Sequence, residues 1–180
     1  MNATFNYILG YFLGIGLFYI TIPAFLVGLH TLPSSFSTKP LFPISWFLYI
    51  LTSILLFIGL TFALWSNICL RTMGKGGPTD GFGKAVSPRT QILVTSGPYR
   101  YTRNPMAFGT FLCYFALALY LNSIPVVVFL AILLPVALAY IRRWEERRLS
   151  WEFGREYAEY RRRVSMFFPR IPSRLRSPGP

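Results

Sequence analysis

Three long stretches without a single charged residue constrain the fold of this chain more than any other feature of its sequence. They cover residues 1–30, 41–70 and 105–141, none of which contains Asp, Glu, Lys or Arg. Apolar runs longer than about 18 residues predict helices that cross a membrane. Charged residues make up only 13% of the 180-residue chain, against about 25% in soluble proteins. We therefore predict an all-α, polytopic membrane protein that forms a single domain.

The apolar stretches predict about four spans. The third stretch is too long for one helix across a hydrocarbon core about 30 Å thick. The sequence YLNSIP at residues 120–125 predicts a turn within it, with Ser123 as the N-cap of the next helix. The first stretch lacks the basic residues that open a signal peptide, so we interpret it as a span. The four predicted spans are residues 7–29, 44–70, 106–121 and 124–141.

The basic residues predict the orientation of these spans. Lys39 is the only basic residue between the first two spans, whereas residues 71–104 carry six and the tail after Ile141 carries eleven arginines. The positive-inside rule places the basic side in the cytoplasm, and an even number of crossings puts both termini there. The predicted location is the cell inner membrane or the endoplasmic reticulum. Because the arginines flank spans, the net charge of +12 predicts attraction to anionic lipids, not binding of nucleic acid.

The cysteines and the histidine do not form a recognisable metal or disulfide pattern. Cys69 and Cys113 both lie in apolar segments, His30 is the only histidine, and no Cys-x-x-Cys occurs. We predict buried thiols, with no metal site.

Any chemistry must therefore lie on the polar face formed by residues 71–104 and 142–172. It begins with a glycine-rich loop, RTMGKGGPTDGFGK, that fits neither a phosphate-binding loop nor a dinucleotide fingerprint. The pattern leaves two interpretations open, a mobile connection or a lid over a ligand.

The segment GPYRYTRNP follows, and it leads directly into the third span. Gly97-Pro98 predicts a turn, and Pro105 fits the first turn of the helix, with Asn104 as its N-cap. The N-terminus of a helix suits a carboxylate or another polar ligand group. Tyr99 and Tyr101 could equally stack on a ligand or anchor the chain at the membrane interface.

The tail carries the only adjacent acidic pair, Glu145 and Glu146, among several arginines. These glutamates form either ion pairs on a solvated helix or a site for a cationic ligand. Gly154 is predicted to end the helix. The residues after it recur at helical spacing and predict an apolar stripe that packs on the membrane or the bundle. The stripe comprises Phe153, Tyr157, Tyr160 and Val164.

Taken in order, these segments resemble a known family. LVTSGPYRYTRNPM, a hairpin of short spans, EERRLSWEFGREYAEYRRRV and a closing FPRIP look like the membrane methyltransferases of the isoprenylcysteine carboxyl methyltransferase and phospholipid methyltransferase group. The resemblance covers about residues 76–172. It implies S-adenosylmethionine as cofactor on the cytosolic side, and a lipophilic substrate that enters from the bilayer through a lipid-accessible groove.

The resemblance also implies roles for individual residues. An arginine just ahead of the paired glutamates is expected to position the substrate, and the spacing does not choose between Arg142 and Arg143. Ala107 stands where the family motif usually has tyrosine, with Phe108 beside it, and Asn104 stands where the prenylcysteine-specific branch generally has histidine. The implied cofactor-binding residues are Gln91, Ile92, Leu93, Val94, Tyr99, Arg103, Asn104, Pro105, Met106, Ala107, Glu145 and Glu146.

The residues themselves fit this chemistry. Glutamates would stabilise the sulfonium and ammonium groups of the cofactor, and in-line methyl transfer depends on alignment more than on acid–base catalysis. We predict methyl transfer to a lipophilic acceptor such as an isoprenylcysteine carboxylate. The alternatives are a phospholipid amine or small thiol acceptor, an NADPH-dependent membrane reductase, and a non-catalytic lipid-binding protein.

Overall fold

A computed structural model describes residues 3–32, 41–43, 46–76, 80–81, 84–85 and 90–171. Its regular elements are almost all helical. The described strands are a two-residue antiparallel pair, β1 (Asp80–Gly81) with β2 (Lys84–Ala85). The helices are α1 (Ala3–Ile15), a π-helical stretch (Gly16–Thr21), α2 (Ile22–Thr31), α3 (Trp46–Thr72), α4 (Pro105–Tyr120), α5 (Ile124–Tyr140), a second π-helical stretch (Ile141–Glu145) and α6 (Glu146–Arg163).

The lengths and composition of these helices confirm a polytopic membrane protein. Three continuous helical stretches in the described chain are long and apolar enough to cross a membrane, at Ile8–Thr31, Trp46–Thr72 and Ile124–Arg163. The apolar part of the third ends at Ile141, because Arg142 is its first charged residue. Helix α4 is apolar but shorter, with 16 residues that extend about 24 Å. Residues 44 and 45, where the second predicted span begins, lie outside the described residues.

Helices α3 and α4 pack closely because glycines meet at their contact. A Cβ atom on Gly109 would lie 2.5 Å from the Gly59 carbonyl oxygen and 2.7 Å from the Ala63 nitrogen. A Cβ atom on Gly59 would in turn lie 2.8 Å from the Gly109 carbonyl oxygen and from the sulfur of Cys113. Small residues allow helix backbones to approach in this way inside a membrane. Cys69 and Cys113 are both buried, as predicted.

Hydrogen bonds attach the first span to its neighbours. The Tyr114 hydroxyl donates to the Phe18 carbonyl over 2.6 Å, and the Tyr11 hydroxyl donates to Asn67 Oδ1 over 2.6 Å. Such bonds between helices stabilise packing where lipid removes the hydrophobic driving force. A buried apolar cluster forms where α2, α4 and α5 meet. Its members are Leu26, Tyr114, Ala118, Val126 and Leu130.

The structure refines one predicted helix boundary and confirms another. Ser123 occupies the N-cap position of α5, but its side chain makes no capping hydrogen bond. Gly154 breaks α6 where a helix end was predicted: it adopts a non-helical conformation with φ of 47°, which only glycine enters easily. A second helical stretch follows this kink. The predicted packing of Tyr157 and Tyr160 is correct, since both are buried after this kink.

Candidate functional site

The residues of GPYRYTRNP form a loop that is fixed to α3. We call residues 97–104 the interfacial loop; it opens with a 3₁₀ turn at Gly97–Arg100. Gly97 has φ of 61°, and a Cβ atom there would lie 2.8 Å from the sulfur of Cys69. A side chain at position 97 is therefore excluded by backbone conformation and by space.

The end of the chain holds the same loop from the other side. We call residues 157–170 the tail segment. The Arg103 N–H donates to the Ser165 carbonyl and the Arg170 N–H to the Tyr101 carbonyl, both over 2.9 Å. The Tyr160 hydroxyl donates to the Tyr99 carbonyl over 2.6 Å. Backbone groups far apart in sequence thus pair as they do in strands, and they attach the loop to the tail segment.

Asn104 has a different role from the predicted one. It stands at the N-cap position of α4 but makes no side-chain capping bond. Its Nδ2 donates to the Met166 carbonyl over 2.8 Å, because the tail segment lies beside it. The first turn of α4 therefore begins with the buried Pro105, and the described side chains include no cap for its N–H groups. Met106 and Ala107 follow in this turn and are partly buried.

Glu146 forms a buried ion pair with the interfacial loop. Its Oε1 lies 2.7 Å from Nη1 of Arg103, and the two side chains are only 4% and 8% exposed. Arg161 Nε approaches the second oxygen at 3.8 Å. Arg103 Nη1 also donates to the Tyr157 hydroxyl over 3.4 Å. This cluster connects the start of α6, the interfacial loop and the tail segment.

Glu145 has different surroundings, although it is adjacent in sequence. It ends the π-helical stretch, is partly buried, and has no ion-pair partner among the residues that the structure describes. Burial raises the pKa of its carboxyl group to about 7, and the charge of Glu146 adds to this effect. Burial also raises the pKa of the Tyr99 hydroxyl, with the charge of Glu145 as a second cause. The charge of Glu145 therefore acts on the Tyr99 hydroxyl.

The predicted QILV residues lie beside the end of α3. The Gln91 N–H donates to the Gly74 carbonyl over 2.8 Å. Val94 is 6% exposed, and its Cγ2 lies 3.0 Å from where a Cβ atom of Gly74 would be. Gln91 and Ile92 are exposed. Residues 77–79 and 82–83 of the glycine-rich loop lie outside the described residues, so its predicted lid role stays a prediction.

Arg142 and Arg143 do not join the Arg103–Glu146 cluster. Both side chains are exposed, and neither is paired with Glu145 or Glu146 in the described part of the chain. Arg143 lines a separate cavity on the surface of the helix. Their predicted role as substrate-positioning residues stays a prediction.

An apolar groove lies between α4 and α5 and extends to the tail segment. Its volume is about 280 Å³. Phe167 closes its end near the interface, where its ring packs against Phe108 at 5.7 Å and Phe111 at 6.0 Å. The lining residues are Phe108, Phe111, Leu112, Phe115, Val127, Leu130, Ala131, Leu134, Phe167 and Phe168.

Sequence reasoning missed Arg161 and the carbonyl groups of Ser165 and Met166. Arg161 could not be distinguished by sequence from the other arginines of the tail. The two carbonyl groups could not be predicted, because every residue has a backbone carbonyl. The closing FPRIP motif, which begins at Phe168, two residues after Met166, was the nearest indication that this segment contributes to the site.

Fold and site together define an integral membrane protein whose polar site lies where its apolar helices end. A family model described as Phospholipid methyltransferase matches residues 47–156. Since the match covers more than half of the chain, the protein belongs to this family of membrane methyltransferases.

One curated relative supports a more limited comparison. The chain is 36% identical over 83 residues to the cobalt-zinc-cadmium resistance protein CzcN of Cupriavidus metallidurans. The matched region is 46% of this chain and 38% of that protein, so the chain spans well under half of this relative's length. No solved structure matches the chain.

Proposed function

We propose that this protein transfers a methyl group from S-adenosylmethionine to a lipophilic acceptor at the cytoplasmic face of a membrane. The observation that carries the proposal is Glu145, a partly buried carboxylate without an ion-pair partner in the described chain. Its raised pKa means that the protein by itself does not provide enough positive charge to stabilise the ionised carboxylate. A ligand with fixed positive charge would supply that compensation, and S-adenosylmethionine carries a sulfonium and an ammonium group.

The start of α4 supports the same cofactor. Its first-turn N–H groups have no side-chain cap, and a helix N-terminus favours a carboxylate. Ala107 presents only a methyl group there. The residues proposed to hold the cofactor are therefore Glu145 and Tyr99 on one side and residues 104–107 on the other, with residues 91–94 beside them.

Each group has a distinct role in this proposal. Glu145 binds the cationic part of the cofactor, while the Arg103–Glu146 pair orients the interfacial loop. When bound, S-adenosylmethionine supplies a methyl group on a sulfonium for in-line displacement. The apolar groove accommodates the acceptor's hydrocarbon chain and excludes water, and Arg142 or Arg143 orients its polar end.

The acceptor and the membrane belong to the same proposal. An isoprenylcysteine carboxylate would need an arginine for its charge, whereas a phospholipid amine or a small thiol would not. We place both termini in the cytoplasm, because the basic segments flank the spans on that side. The membrane is the cell inner membrane or the endoplasmic reticulum.

Calorimetric titration of the detergent-purified protein tests the cofactor. We expect S-adenosylmethionine to bind, and Glu145→Gln to weaken binding by at least about tenfold, because a charge-assisted contact is lost. The matched control is Glu159→Gln, since Glu159 is an exposed tail glutamate that pairs with Arg155 and Arg163. Binding of NADPH instead would identify a reductase, and binding of neither ligand would favour a non-catalytic lipid-binding protein.

A second experiment tests the acceptor. Arg142→Ala and Arg143→Ala are each assayed with an isoprenylcysteine carboxylate, a phospholipid amine and a small thiol. Loss of transfer to the carboxylate alone, in one of the two variants, identifies the steering arginine. If neither variant changes any transfer, the proposed role of these arginines is wrong.

A further inference from the structure

A second cavity lies on the helix that emerges from the membrane, apart from the loop–tail contacts. Its volume is about 330 Å³, within the range of small-ligand pockets. Among the residues that the structure describes, its lining consists of arginine and tryptophan side chains and includes no acidic residue. They are Arg143, Trp144, Arg147, Arg148 and Trp151.

The spacing of these residues aligns them along one side of the helix. Arg143 and Arg147 are four residues apart, as are Trp144 and Arg148, so each pair lies one turn apart. The cavity begins two residues after Ile141, the last residue of the apolar segment. This position corresponds to the headgroup layer of the bilayer.

The tryptophans fit that location. Trp144 is 45% exposed and Trp151 is 80% exposed. Indole rings favour the membrane interface, where an apolar body and a polar N–H are both accommodated. The two rings therefore add apolar contact area beside the cationic groups.

The charge of the cavity is only partly balanced within the protein. Arg148 approaches Glu152 at 3.8 Å. Arg143 and Arg147 have no carboxylate within ion-pair distance among the described residues. Beyond the kink at Gly154, in contrast, arginines have a carboxylate partner, since Arg155 and Arg163 both pair with Glu159. The cavity thus concentrates positive charge that a ligand can neutralise.

We propose that this cavity binds the phosphate of an anionic phospholipid in the leaflet that faces the tail. Arginine guanidinium groups bind phosphate oxygens in pairs of parallel hydrogen bonds, and Arg143 and Arg147 are placed to do so. Free phosphate has the same charge chemistry, but it would gain nothing from the flanking tryptophans. Binding of this lipid does not require methyl transfer, although Arg143 is also one of the two arginines proposed to orient the acceptor.

Native mass spectrometry of the protein in a neutral detergent tests the site. A short-chain phosphatidylglycerol is titrated, with phosphatidylcholine and inorganic phosphate in parallel. The test variant is Arg147→Gln, which changes an exposed residue outside the proposed catalytic groups. The control is Arg162→Gln, an exposed arginine of α6 that removes the same charge away from the cavity. Unchanged melting temperatures establish that both variants are folded.

We expect the protein to bind one phosphatidylglycerol molecule in a saturable manner. Arg147→Gln should lower the affinity for this lipid about fivefold, because one basic contact to an anionic lipid is lost. Arg162→Gln should change the affinity less than about twofold, because diffuse surface charge is screened. An equal loss of phosphatidylglycerol affinity in both variants would show that the lipid is attracted by the overall positive charge, and it would overturn the proposed site. Displacement of the lipid by inorganic phosphate at equal concentration would overturn its assignment to a lipid.

Discussion

Glu145 and Glu146 are adjacent in the chain, yet their surroundings differ enough that substitutions should separate their roles. Glu146 is enclosed with Arg103 and is reached by Arg161. The charge of Glu145 acts on the Tyr99 hydroxyl, and Glu145 has no ion-pair partner in the described chain. One glutamate therefore stabilises the fold, and the other retains a charge that a ligand can use.

Substitution of Glu146 should destabilise the protein. Removal of one partner from a buried ion pair costs about 3–5 kcal/mol, because the remaining charge is left uncompensated. We expect Glu146→Ala to lower the unfolding free energy by about this amount, measured by denaturant unfolding in detergent. Glu159→Ala removes an exposed glutamate from the same helix and should cost less than about 1 kcal/mol. Equal losses would contradict the buried role of Glu146.

Cofactor affinity should depend on pH through Glu145. With a pKa of about 7, half of the Glu145 carboxyls are ionised at pH 7 and about one-tenth at pH 6. We therefore expect affinity for S-adenosylmethionine to fall about fivefold from pH 7 to pH 6, measured calorimetrically. Glu145→Gln should bind weakly with no such dependence. A wild-type affinity that is constant over this range would contradict the assignment.

The same shift predicts an opposite effect on the stability of the protein without cofactor. The pKa of Glu145 is raised on folding, so the native state binds its proton more tightly than the unfolded chain. Stability from this group is present at acidic pH and is lost as the pH rises from about 4.5 to about 7. Glu145→Gln removes the buried charge, and we expect its melting temperature at pH 8 to exceed that of the wild type.

At this scale, sequence could identify the residue types but not their partners. The two glutamates and Arg103 were recognisable from their motifs. Which glutamate pairs with Arg103 depends on how α6 is rotated after the π-helical stretch, and no local pattern encodes that rotation. The sequence predicts a capping role for the Asn104 side chain. Its partner in the structure, the Met166 carbonyl, could not be predicted, because any residue provides such a backbone carbonyl.

At the scale of elements, glycines determine the contact between α3 and α4. Gly109→Ala would place a Cβ atom against the Gly59 backbone, and overpacking of this kind costs about 1–3 kcal/mol. We expect a lower melting temperature and weaker cofactor binding, because α4 carries residues 105–107 of the proposed site. Gly28→Ala is the matched control, since nothing lies within 4 Å of its Cβ position. A similar loss in both variants would exclude close packing as the cause.

The helices themselves could be predicted from composition, because lipid requires long apolar segments with internal hydrogen bonds. Their ends were less predictable. Gly154 gave the usual signal for a helix end and lies at the kink, whereas the direction in which the second helical stretch leaves the kink depends on the burial of Tyr157 and Tyr160. The contact between the interfacial loop and the tail segment joins residues about sixty positions apart, so no periodicity could indicate it.

For the whole molecule, the orientation is open to a direct test. The basic side comprises residues 71–104 and the tail, and the proposed four crossings would put the N-terminus with them. We expect a fluorescent-protein fusion at either terminus to be active in the cytoplasm, and an alkaline phosphatase fusion at residue 122 to be active on the opposite side. Phosphatase activity from a terminal fusion would contradict the proposed orientation.

The contact between the interfacial loop and the tail segment also sets the order in which the protein can mature. Ser165 and Met166, whose carbonyls bind Arg103 and Asn104, are synthesised after every apolar helix. The apolar helices of a nascent chain can therefore be inserted into the bilayer before the interfacial loop has its hydrogen-bond partners in the tail segment. Translation that stops before residue 165 would leave these apolar helices without the carbonyl groups that hold Arg103 and Asn104.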